Sequence, residues 1–108
     1  MNAILTDHAH AIADLCRKYQ VLRLVAFGSV VRSDFDPASS DVDLIAEFSS
    51  PRQSGYADRY MDFVQSLEAL FGRKVDLLTP GAIHNTRFAE VIKREAVQIY
   101  EATEHQAA

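Results

Sequence analysis

A chain of 108 residues, 48% hydrophobic and 24% charged, is enough for one domain around one core without disulfide or metal staples. Its longest apolar runs fall well short of the roughly 20 residues a membrane helix needs, and "MNAILTDHAHAIADLC" lacks the basic start and long apolar segment of a secretory leader, so neither a span nor export is expected. The net charge of −4 excludes passive adhesion to nucleic acid as a source of affinity, since that requires a basic face; a nucleotide carried by metal ions is not excluded.

The elements follow in chain order. Ile12, Leu15, Cys16 and Tyr19 recur at helical spacing, which predicts an amphipathic helix over Asp7–Gln20 with Thr6 or Asp7 as its cap. Cys16, the only cysteine, lies on that apolar face and reads as core, in keeping with a reducing cytoplasm. "VLRLVAF" (Val21–Phe27) is a first strand stopped by Gly28, and Ser29–Ser40 is a connection in which Val30–Ser33 can form a helical turn. "DVDLIAEF" (Asp41–Phe48) is a second strand, followed by a loop over Ser49–Gly55. Tyr56, Tyr60, Phe63, Val64, Leu67, Leu70 and Phe71 mark the core-facing side of the strongest helix, which Gly72 ends. "KVDLL" (Lys74–Leu78) is a third strand, a last helix opens near Asn85, and "AVQIY" (Ala96–Tyr100) is a short edge strand before a polar tail over Glu101–Ala108 that frays.

Strand, long helix, strand between Asp41 and Leu78 predicts a parallel pair with a right-handed crossover. The first two strands are joined by too short a link for such a crossover and are expected to be antiparallel. The expectation is one α/β (α+β) domain over residues 1–108, a mixed sheet with helices mainly on one face.

Alternation along a strand turns Asp41 and Asp43 the same way, about 6.6 Å apart, while Val42 and Leu44 face the helices. Two like charges held so close repel unless a cation sits between them. Magnesium takes hard oxygen ligands, often one or two carboxylates plus substrate phosphates. Among nine aspartates a chance D-x-D pair is common, and Asp34-Phe35-Asp36 is such a decoy, in the connection before Pro37 where Asp36 better suits a turn. Asp76 gives the second pair its weight. A carboxylate inside the short apolar strand "KVDLL" is costly without water, a partner (Arg73 or Lys74) or a metal, and a parallel neighbour can place it on the face of Asp41 and Asp43. Three carboxylates there suit two metal ions. Gly28 permits close backbone approach, Ser29 adds a hydroxyl and, if it opens a helix, free N–H groups, and Arg32 can add charge to the same phosphates.

The ordered set "GS…DVD…VDLL" resembles the nucleotidyltransferase superfamily that includes DNA polymerase β, and more closely its minimal, single-domain members, the MNT proteins encoded beside HEPN-domain partners. The likeness runs through "FGSVVRSD", "SSDVDLIAEF", "LFGRKVDLLTP" and "FAEVIKREAVQIYEA". It implies that Gly28, Ser29 and Arg32 bind the nucleotide and that Asp41, Asp43 and Asp76 are catalytic and ligate two Mg²⁺ ions. It further implies transfer of AMP, or another NMP, from ATP to a hydroxyl, with pyrophosphate leaving. The four histidines, His8, His10, His84 and His105, are not needed as bases and read as surface residues. Ser33 stands where the family usually has glycine, and eleven residues separate Ser29 from Asp41, one more than is usual.

Larger relatives carry an added helical domain that completes the acceptor pocket. With no such segment in these 108 residues, the acceptor is expected on another chain or a second copy, in a hetero- or homo-oligomer. The resemblance implies a HEPN-domain toxin, modified on tyrosine, with this protein as its antitoxin; no direct nucleic acid and no membrane are involved. The rival expectation is a binding antitoxin that neutralises its partner by contact and keeps only a vestigial nucleotide site.

Overall fold

The computed structural model describes residues 2–32, 41–51 and 53–102. In chain order these form α1 (Ala3–Asp7), α2 (Ala9–Lys18), β1 (Val21–Phe27), β2 (Val42–Phe48), α3 (Tyr56–Phe71), β3 (Val75–Leu78), α4 (Thr86–Glu95) and β4 (Val97–Glu101). The four strands make one sheet in the order β3-β2-β1-β4. β1 runs antiparallel to β2 and β4, and β2 and β3 are parallel, joined through α3. The expected mixed α+β sheet and both strand orientations are therefore present. The decoy aspartates, Ser33, the rest of the connector to Ser40, and the tail beyond Ala102 lie outside the described residues.

One face of the sheet is the core. Leu24 and Ala26 of β1, Val42, Leu44 and Ala46 of β2, and Val75 and Leu77 of β3 are buried against Leu5, Ile12, Cys16, Phe63, Leu67 and Phe71 from α1, α2 and α3. Burial pushes the Cys16 thiol up to about 12, against the smaller opposing pull of the Arg17 charge, so it packs as an inert apolar group. Phe63 is fully buried and meets Phe48 edge to face with ring centroids 5.7 Å apart. Tyr56 and Tyr60 pack half-buried at the margin of the same cluster.

The long helix ends as its sequence predicts: Gly72 adopts the left-handed conformation (φ +67°), and its N–H donates to the Glu68 carbonyl at 2.8 Å. The N-terminal region differs from the single helix expected over Asp7–Gln20. Two helices meet at His8, and the first begins earlier, at Ala3, because Asn2 caps it: the Asn2 Oδ1 accepts from the Ile4 N–H at 2.8 Å. Leu5 supplies the apolar anchor that holds this extra turn in the core. His8 is half-buried rather than a surface residue, its ring edge-on to Phe71 and its Nδ1 2.8 Å from the Ile4 carbonyl. Of the other histidines, His10 and His84 are exposed and His105 lies outside the described residues.

Candidate active site

The parallel register aligns Val42 with Val75, Asp43 with Asp76 and Leu44 with Leu77. Since neighbours in register share a face, Asp43 and Asp76 project together from the side of the sheet opposite the core, while the valines and leucines flanking each are buried. Asp41 immediately precedes β2 and is exposed; Asp43 is half-buried and Asp76 exposed on the edge strand. Two further contacts fix β3 beside β2. The Val42 N–H donates to the Lys74 carbonyl at 3.0 Å, and the Tyr60 hydroxyl of α3 donates to the Leu77 carbonyl, next to Asp76.

These acids feel one another. The Asp43 carboxyl is held above the usual aspartate range, first by burial, then by the negative charge of Asp76 and then by that of Asp41, with the Arg32 guanidinium acting the other way. Among the described residues, however, no three His, Cys, Asp or Glu side chains gather closely enough to enclose an ion by themselves. The expected trio thus differs from a preformed three-carboxylate cage. One or two carboxylates completed by phosphate oxygens and water is the ordinary donor set of Mg²⁺, and a half-buried Asp43 with two acidic neighbours fits a cation arriving with its polyphosphate.

Gly28 closes the site from β1. It follows Phe27, which lies opposite Asp43 in the antiparallel register, and its φ of +74° is left-handed. A Cβ at this position would stand 2.5 Å from the Asp43 Oδ2, so the glycine backbone lies directly against the carboxylate. Only a residue without a side chain satisfies both conditions. Gly28–Val30 form a single 3₁₀ turn, in which the Gly28 carbonyl accepts from the N–H groups of Val31 (3.1 Å) and Arg32 (3.2 Å). A turn this short has no appreciable macrodipole, which removes the helix-dipole part of the sequence expectation. What remains is close backbone approach and the half-buried Ser29. The turn is pinned from below by Val30, fully buried, whose carbonyl accepts from the Asn2 N–H at 2.8 Å.

Arg32 follows this turn. Its Nη1 donates to Glu95 at the end of α4, 2.7 Å from Oε1 and 3.4 Å from Oε2. No local pattern marks Glu95 in the sequence: the partners are 63 residues apart, and only the fold brings them together.

Residues 10–99 match the family model described as nucleotidyltransferase domain. The chain belongs to the nucleotidyltransferase domain family. A Methanocaldococcus jannaschii protein, provisionally named protein adenylyltransferase MJ1379, is 30% identical over 96 residues, covering 89% of this chain and 91% of its own length. A solved structure described provisionally as a minimal nucleotidyltransferase superposes with a TM-score of 0.72 at 28% identity, over 90% of this chain and 95% of the other. The fold is also shared, at 14% identity and a TM-score of 0.62, with a structure of a tri-AMPylated Shewanella oneidensis HEPN toxin in complex with MNT antitoxin, over 95% of this chain and 77% of that one. As a nucleotidyltransferase, the domain carries its Gly-Ser turn and two strand aspartates on one face, next to one another.

Proposed function

We propose that this nucleotidyltransferase moves AMP from ATP to a hydroxyl of a partner protein in a Mg²⁺-dependent reaction. The partner is a HEPN-domain toxin, the acceptor a tyrosine, and the domain serves as the antitoxin in the cytoplasm. The observation that carries the chemistry is the register pair Asp43–Asp76 beside a glycine in contact with the Asp43 carboxylate. The choice of acceptor is supported by the relative named for protein adenylylation and by the shared fold of the MNT antitoxin bound to its AMPylated toxin.

In this reading Gly28 and Ser29 receive the triphosphate, Arg32 adds positive charge to it, and Asp41, Asp43 and Asp76 hold Mg²⁺. The metal, when bound, supplies the positive charge that screens the phosphates and stabilises the transition state. Asp76, exposed on the edge strand, is accessible to an acceptor from outside the domain and takes up the proton of the attacking hydroxyl. The new bond joins that oxygen to the α-phosphorus, and the bond to the β-phosphate breaks to release pyrophosphate. Val30 and the Asn2 contact keep the phosphate turn from moving while this occurs.

Purified protein with Mg²⁺, labelled ATP and a cognate HEPN-domain protein should transfer label to that protein, and Asp41→Asn or Asp43→Asn should abolish transfer while leaving a folded domain. If cells are protected from the toxin equally well by wild type and by both Asn variants, neutralisation by contact replaces catalysis.

A further inference from the structure

The helix α4 contacts residues on either side of the phosphate turn. Near its start, Phe88 packs edge to face on Phe27, the residue before Gly28, with ring centroids 5.8 Å apart. At its end, Glu95 holds Arg32, the residue two beyond Val30. Helix stability does not account for a carboxylate at that place. Glu95 is the last residue of α4, where the negative end of the helix dipole opposes an acid. The Glu95 side chain is 28% exposed against 49% for Arg32, so the acid is the better anchored partner. The Arg32 charge in turn reaches Asp43. A long arginine side chain is costly to immobilise, and one whose guanidinium is already held gives up less freedom when an anion arrives.

We infer that Glu95 is a positioning residue for nucleotide binding: it holds the Arg32 guanidinium beside the Gly28–Ser29 turn, ready for the triphosphate. The inference rests on the proposed role of Arg32 in gripping ATP. Glu95 touches neither nucleotide nor metal. Its loss weakens ground state and transition state alike, raising KM for ATP with little change in kcat.

The test measures binding of Mg²⁺ with a non-hydrolysable ATP analogue by titration calorimetry, the kcat and KM for labelled transfer, and thermal unfolding. Five variants are compared with wild type: Glu95→Gln, Arg32→Ala, the double variant, Asp43→Asn and Lys93→Gln. Glu95→Gln should weaken binding about threefold to tenfold with kcat and the unfolding temperature nearly unchanged. In the Arg32→Ala background the same substitution should have no further effect, whereas a merely structural contribution would persist in both. Lys93→Gln, an exposed change on the same helix, should leave binding at the wild-type level. The inference is overturned if Arg32→Ala weakens binding and Glu95→Gln does not, if the Glu95→Gln effect survives intact without Arg32, or if Glu95→Gln binds more tightly and Glu95 is thus a competitor of the nucleotide. If Asp43→Asn and Arg32→Ala both bind like wild type, the site itself is misplaced, and this role for Glu95 falls with it.

Discussion

At Asp43 and Gly28 the demands of the site and of the fold oppose each other. Burial, then Asp76 and then Asp41 raise the Asp43 carboxyl above its ordinary range. On raising the pH, the unfolded chain therefore loses this proton before the folded one does. The ionised group destabilises the fold above that interval, and the effect disappears below the ordinary aspartate value of about 4. Asp43→Asn should accordingly unfold at a higher temperature than wild type at pH 7, the difference vanishing near pH 3.5; circular dichroism melts at the two pH values decide, and a less stable Asn variant at pH 7 contradicts the argument. Gly28→Ala acts in the other direction. The left-handed φ of +74° costs an alanine about 1–2 kcal/mol, which in a domain of about 100 residues lowers the melting temperature by several degrees. The new Cβ, 2.5 Å from the Asp43 Oδ2, also pushes the carboxylate aside. Transfer should fall far more than the modest loss of stability explains, when both are measured well below the melting temperature.

Each element places a site residue by a contact elsewhere along its length. α3 spans the crossover between the parallel strands, and its Tyr60 donates to the carbonyl of Leu77 in the edge strand. Removing the hydroxyl in Tyr60→Phe leaves that carbonyl without this donor and should destabilise the domain by about 0.5–1.5 kcal/mol. Urea unfolding measures the loss, and hydrogen exchange should place the loosening in β3. The Asp43–Asp76 pair is legible in the sequence because a strand-helix-strand order makes β3 a parallel neighbour of β2; Asp41, grouped with Asp43 by alternation, immediately precedes the strand. The bounds of β1 and α3 were legible too, since Val21–Phe27 and Tyr56–Phe71 each carry their own pattern and end at a glycine. The break at His8 was hidden because it depends on Asn2 as a cap and on Phe71 from a distant helix. The Arg32–Glu95 pair was hidden because no periodicity connects residues so far apart. The close approach of Gly28 to Asp43 depends on the antiparallel register between β1 and β2, which alternation alone does not set.

For the molecule as a whole, the proposed binding of nucleotide and metal at the crowded acids would make both part of the stability of the fold. Wild type alone carries the penalty of Asp43 ionised beside Asp76, whereas a ligand that binds only the folded state stabilises it by about 2.7 kcal/mol at a hundred times its dissociation constant. Asp43→Asn relieves the penalty and forfeits the ligand. The order of melting temperatures should therefore invert: the Asn variant melts higher in buffer, and wild type melts higher with saturating Mg²⁺ and ATP. Chelating the metal with EDTA while keeping ATP present should restore the original order, because nucleotide without its cation adds charge to an already acidic face. Differential scanning calorimetry on the two proteins under the three conditions reads the inversion directly. A wild-type gain that survives EDTA in full would place the nucleotide on the turn and Arg32 without metal, and the acidic pair would then owe its placement to something other than ion binding.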